Sequence, residues 1–239
     1  APLAAFWTSR PVSIVAEPVA GTGWTNAFAY FTEQPIWPRG FALEQLLGRG
    51  ACELGPEGGF FCPVQQGLAN GDSDVDAIYR LTNNDAVIFN ERMPVVLGPG
   101  CWCPFNSQST YWNREAFALL YLPSFCTFRM TDIWRSFVAQ RCLWAAGWQL
   151  AFVGPVVYQE RNPHDLLADF AHEVPGYLRN GAIAACLDAL QLAPGQTSLG
   201  ANLRRCYVAL TQLGVVDNAE LNLVDAWLED VSVAQGLKQ

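Results

Sequence analysis

The chain has 239 residues, 51% of them hydrophobic and 15% charged, with a net charge of −8. That length and apolar content can bury a core in one large or two small domains, and they exclude a disordered chain. The acidic balance excludes nucleic acid as a general partner, because the long-range field repels phosphates. Thirteen of the fourteen basic residues are Arg, with Lys238 the single Lys. Arg suits carboxylate or phosphate clamps, and lineage bias would give the same count. The chain opens at Ala1 without a basic-then-apolar leader, which reads as a fragment or a processed product. Its most apolar run (142–158) is broken by Gln, Gly and Pro and is too short to span a membrane. The eight Cys form no Cys-x-x-Cys pair. Most are expected as buried small hydrophobes, with a Cys52–Cys62 disulfide open in a secretory lumen.

In chain order, short β-rich runs come first. Strands are expected over 12–16, 27–31, 76–82, 86–90, 93–98, 117–122 and 150–158. A short helix over 42–50 stops at a Gly. A longer one over 131–147 places Ile133, Trp134, Phe137, Val138, Cys142 and Leu143 on one face, with Thr131 as its N-cap. After Gly176 the periodicity becomes helical over 176–192, 198–216 and 218–235, with "APGQT" (193–197) as a linker. Strands mixed with helices, then helices alone, imply an α/β core over 1–175 and a helical C-terminal subdomain over 176–239.

Four local patterns can carry chemistry. "GDSDVDAIYRLT" (71–82) holds Asp72, Asp74 and Asp76. On a strand Asp74 and Asp76 would share a face and could hold a divalent metal, or the acids form a solvated turn. Arg39, between Pro38 and Gly40, could clamp an anion or make a buried ion pair. Asp132 in "RMTDIWR" could cap its helix, or act as a base or sugar-hydroxyl acceptor with Arg129 and Arg135 keeping it ionised. His164, in a polar loop after a strand, could ligate a metal, touch a phosphate, or do neither.

"WPRGFALEQL", "DVDAIYRLT", "PFNSQSTYW", "LYLPSFCTFRMTDIWRSFVAQRCLW" and "VVYQERNPHDLLADF" resemble, in that order, the STELLO glycosyltransferase-like proteins, over about residues 25–175. More distantly the series is similar to the reversibly glycosylated polypeptides, which act as nucleotide-arabinose mutases. There Arg39-Gly40 matches an Arg-Gly whose Arg carries the sugar. "FRMTDIW" matches an Arg-x-Asp-Asp-x-Trp segment, with Thr131 in place of the first Asp. The resemblance implies a GT-A fold, a Rossmann-like mixed sheet flanked by helices, of which 1–175 is the acceptor-side part. It implies a nucleotide-sugar donor, a glycan acceptor and Mn²⁺ or Mg²⁺, with the metal ligands expected upstream of this chain. It also implies a Golgi-lumen, membrane-anchored parent. Arg39 and Asp132 are then the catalytic pair, and Trp37, Arg39, Gly40, Asn106, Gln108, Arg129, Asp132 and His164 the substrate-binding set. "PFNSQST" becomes a polar wall of the cleft. The alternative is a non-catalytic scaffold that assists a polysaccharide synthase.

Overall fold

The computed structural model describes residues 11–46, 53–83, 85–160 and 163–236. Its frame is a mixed six-stranded sheet made of β1 (Ser13–Pro18), β3 (Gly58–Phe61), β4 (Val64–Gly71), β5 (Val95–Leu97), β7 (Thr110–Trp112) and β8 (Leu150–Gln159), ordered β3-β1-β5-β8-β4-β7. A two-stranded parallel pair, β2 (Gly23–Trp24) and β6 (Cys101–Trp102), stands beside it. β4 and β8 run parallel from Val64↔Leu150 to Gly71↔Gln159. Both chains therefore end at the same edge of the sheet, where β4 passes to Asp72 and β8 to Glu160. The carboxyl ends of neighbouring parallel strands are where open α/β sheets form crevices.

The apolar runs at β1, β5 and β8 become strands as expected. β4 went unseen because "VQQGLANG" has neither alternation nor β-branched bulk after Val64. Tertiary partners make it a strand. Gln65 Nε2 donates to the Pro11 carbonyl at 2.8 Å, while Gln66 Oε1 accepts from the Asn106 N–H at 2.9 Å and from Thr110 Oγ at 3.0 Å. Both glutamines are buried, and such a central strand stands only because its polar groups are matched.

Four expected strands are not strands. Residues 27–31 hold a single helical turn, α1 (Phe28–Phe31), and 76–82 hold α2 (Ala77–Thr82). Asp76 caps α2, its side chain accepting from the Tyr79 N–H at 2.8 Å, so the cap overrides the β-rich composition. Residues 117–122 lie mostly in the 3₁₀ helix Arg114–Leu120, and 86–90 make only an isolated bridge from Val87 to Gly71. The helix expected over 42–50 is a 3₁₀ turn at Leu43–Gln45, with 47–50 outside the described residues.

α3 (Thr131–Ala145) buries eleven of its fifteen residues. Phe137 meets Trp24 and Trp102 edge-on with ring centroids 5.6 and 5.8 Å apart. Neither Thr131 nor Asp132 caps it. The N-cap position falls to Met130, without a side-chain bond, and Thr131 Oγ donates back to the Phe128 carbonyl.

The expected C-terminal helices are α4 (Leu166–Asp188), α5 (Leu199–Gln212) and α6 (Glu220–Ala234). α4 begins ten residues before Gly176 and runs through it. Asp165 starts it by accepting from the Leu167 and Ala168 N–H groups. A Cβ on Gly176 would come within 2.3 Å of Met130 Sδ, so the glycine admits the turn before α3. Ile183, Leu187, Leu203, Tyr207 and Val224 belong to the same apolar cluster as Leu68, Phe137 and Phe152. The tail and the sheet thus share one core. Cys62 is buried, and burial pushes its thiol up to about 12. Cys52, the other half of the expected pair, lies outside the described residues.

Candidate functional site

Beyond the carboxyl ends of β4 and β8 lies a polar cavity of about 180 Å³. Arg39, Asp74, Gln108, Arg129, Asp132 and His164 line it. These residues come from five separate stretches of the chain, and folding brings them together.

Arg39 is its centre. Pro38 and Gly40 deliver it, and Gly40 has a φ of +86°, a backbone state that glycine adopts without strain. A Cβ there would lie 2.3 Å from Ile133 Cγ2, so glycine also lets this turn press on the first turn of α3. Asn180 Nδ2 anchors the turn by donating to the Gly40 carbonyl at 2.7 Å. The Arg39 guanidinium donates to Asp74 through Nε (2.8 Å) and Nη2 (2.7 Å), and to Asp132 through Nη1 (3.1 Å) and Nη2 (3.0 Å). A further Nη1 bond reaches the Arg129 carbonyl. All five N–H groups of the guanidinium have acceptors. The ion-pair reading of Arg39 is therefore the observed one, and no N–H is left to clamp a free anion.

Asp132 accepts from Arg39 and from the Ser107 N–H at 3.0 Å. Burial alone would raise its carboxyl, but the Arg39 charge, hydrogen bonds from Arg39 and Ser107, and the Arg135 charge hold it below the usual carboxylate range. Arg135 lies over Trp112 at 5.0 Å and Phe105 at 5.8 Å, and its Nη2 donates to Ser107 Oγ at 3.0 Å. Burial lowers its pKa, with Asp132 opposing. The "PFNSQST" stretch does form a wall. Ser107 meets Asp132, Gln108 Nε2 donates to the Asp72 carbonyl at 2.9 Å, and Asn106 stands behind, accepting from the Gln108 N–H.

The floor is set by two more arginines. Arg129 pairs with Glu173, Nε donating at 2.9 Å, and lies 3.8 Å from Asp169, which sits 3.1 Å from His164 Nδ1. Arg80 pairs with Asp72 and donates to the Ser73 carbonyl at 2.9 Å. Arg80 and Gln159 also line the cavity, and sequence reasoning missed both. Gln159 could have been found as the last residue of an apolar strand, and Arg80 as the cation eight residues beyond Asp72.

Two expected site residues lie elsewhere. The Trp37 Nε1–H donates to Asp76, and its ring meets Tyr79 edge-on at 5.6 Å. Asp76 is wholly buried beneath α2, and burial, outweighing its hydrogen bonds, raises its pKa to about 6. Asp74 and Asp76 sit in a loop and at a cap instead of on one strand face, with separate partners. Among the described residues no group of three His, Cys, Asp or Glu could hold a metal ion. The described residues do not fit a Mn²⁺ or Mg²⁺ site.

Residues 129–236 match the family model described as STELLO glycosyltransferases. The chain is similar to Probable glycosyltransferase STELLO2 of Arabidopsis thaliana, 33% identical over 143 residues, covering 56% of this chain and 18% of the relative. It is also similar to Probable glycosyltransferase STELLO1 of the same plant, 28% identical over 227 residues, covering 90% and 28%. The chain is STELLO-like. The similarity takes in the helices after Gly176, which the resemblance by motif had left out, and it agrees with their sharing the core. The mixed sheet flanked by helices is consistent with a GT-A-like glycosyltransferase fold. The chain spans less than a third of the length of these curated relatives. Among the described residues no helix is long and apolar enough to cross a membrane.

Proposed function

We propose that this STELLO-like domain binds the sugar portion of a nucleotide-sugar donor in the Arg39 cavity, as part of a larger glycosyltransferase of the Golgi lumen. The Arg39 cage with Asp74 and Asp132 carries the reading. A saturated guanidinium fixes two carboxylates as acceptors, and among the described residues the cavity has no unengaged arginine to attract a lone anion. Sugar hydroxyls are donors that such acceptors hold well. The strand-end location and the likeness to STELLO relatives support the same assignment.

In this reading Asp132 orients a sugar hydroxyl. A carboxylate held below its usual range is a weak proton acceptor at neutral pH, so holding suits it better than deprotonating. Arg39 keeps Asp132 ionised and immobile, and the Ser107 N–H sets its rotation. Gln108 and His164 complete the rim.

Saturation-transfer NMR with UDP-glucose, UDP-galactose and GDP-mannose tests this. The sugar protons should receive more saturation than the nucleoside protons. Asp132→Asn should weaken binding by roughly 10–100-fold, the worth of a hydrogen bond to a charged group. Labelling confined to the nucleoside, or unchanged affinity in Asp132→Asn, would refute the assignment.

A further inference from the structure

A second cavity, of about 240 Å³, adjoins the first. The two share Asp72, Arg80 and Gln159, so the Arg80–Asp72 ion pair is their common wall. We infer that this second cavity is a subsite for a neutral saccharide, the acceptor glycan of the reaction proposed above, with Tyr158 as its stacking platform.

Tyr158 is the first reason. It stands one residue before the end of β8, 68% exposed, at the rim of the cavity. Its ring lies over Gly71, where an added Cβ would come 3.0 Å from the ring and 2.4 Å from the Gln159 carbonyl. Gly71 has a φ of +87° and pairs through both its N–H and its carbonyl with Val87. Only glycine permits that conformation and that close approach together. The backbone therefore closes against the Tyr158 ring on one side, while most of the side chain stays exposed beside a cavity. Sugar C–H groups, which carry partial positive charge, fit the negative face of such a ring.

Charge is the second reason. Among the described residues, Asp72, Asp85 and Glu160 line the cavity with Arg80 as their one arginine. Arg80 is already engaged by Asp72 and by the Ser73 and Val75 carbonyls. A phosphate entering here meets net negative charge, whereas a hydroxylated neutral ring finds acceptors. The two cavities thus divide the work by chemistry, the caged one taking the donor sugar and the Tyr158 one the neutral acceptor.

This assignment rests on the donor reading of the first cavity, and amide-detected NMR of the ¹⁵N-labelled chain separates the two. The probes are maltotetraose, xylotetraose and mannotetraose, with inorganic pyrophosphate as the anionic control. At least one tetrasaccharide should shift the Gly71, Asp85 and Tyr158 amides. Tyr158→Ala should weaken that binding at least tenfold, Tyr158→Trp should retain it, and pyrophosphate should leave those amides unmoved. Asp132→Asn should leave tetrasaccharide binding intact while weakening UDP-sugar binding. If no tetrasaccharide shifts these amides, if pyrophosphate does, or if Tyr158→Ala changes nothing, the acceptor subsite is wrong. The donor reading then still stands or falls on the saturation-transfer pattern and Asp132→Asn.

Discussion

Asp132 in the cleft is a partly buried carboxylate and Glu220 in the helical tail a fully buried one, and they are held in opposite ways. Asp132 faces a guanidinium and lines an open cavity. Glu220 is held by neutral donors. The Tyr121 hydroxyl and the N–H groups of Ser124 and Phe125, the latter at 2.9 Å, close around it where it is fully buried. The tail uses its carboxylate as a staple that fixes the 121–125 turn against α6. The cleft keeps a charge-balanced, solvent-reachable set, the kind of arrangement expected where a ligand must enter. A buried acid marks a site only together with a cavity and a partner charge.

The largest expected effect comes from Arg39→Ala. It leaves the buried Asp74 and the partly buried Asp132 without their cation and should cost about 3–5 kcal/mol in urea unfolding. A loss below about 1 kcal/mol would mean the cage is not the organising element of the cleft. Glu220→Ala should cost less, about 2–3 kcal/mol, by stranding buried donors of the 121–125 turn. It should leave UDP-sugar binding unchanged, and a parallel loss of binding would erase the contrast between the two regions. Gly40→Ala sets a side chain against Ile133 at positive φ and should cost about 1–3 kcal/mol, seen as a lowered Tm. No change in Tm there would mean that the Arg39 turn does not press on α3.

The last effect separates Asp132 in the cleft from Asp76, buried outside it, by pH. Asp76, raised to about 6 when folded, binds its proton more tightly in the folded state. Its contribution is therefore complete below about pH 4 and is lost as pH rises through about 6, with a slope of at most ~1.4 kcal/mol per pH unit. Asp132 acts in reverse. Its depressed folded pKa contributes stability above the unfolded carboxylate range, lost as pH falls through the folded value. Urea melts at pH 4, 5, 6 and 7 should show the Asp76 slope in the wild type and not in Asp76→Asn. An identical slope in both would assign it to another group.

Much of this molecule was legible residue by residue. The stripe from Ile133 to Leu143 specified α3, and the same 3.6-residue period specified the three tail helices to within a few residues at most ends. The start of α4, ten residues before Gly176, is the exception. The apolar runs at 12–16, 93–98 and 150–158 specified β1, β5 and β8 to within two residues at each end. Arg39, Gln108, Arg129, Asp132 and His164 stand in motifs legible in the sequence, and they line one cavity. Other features have no local signature. β4 is a polar segment that becomes a central strand because Asn106, Thr110 and β8 satisfy it. "DAIYRLT" reads as a strand and folds as a helix because Asp76 caps it. Asp74 and Asp76 look like a metal pair, but Arg39 engages one carboxylate and α2 the other. Arg39 and Asp132 are 93 residues apart, and nothing in either neighbourhood says that they touch. Periodicity and capping are local energies that a short window contains. Ion pairing and strand partnership depend on which distant groups the shared core brings together, and that only the tertiary structure decides.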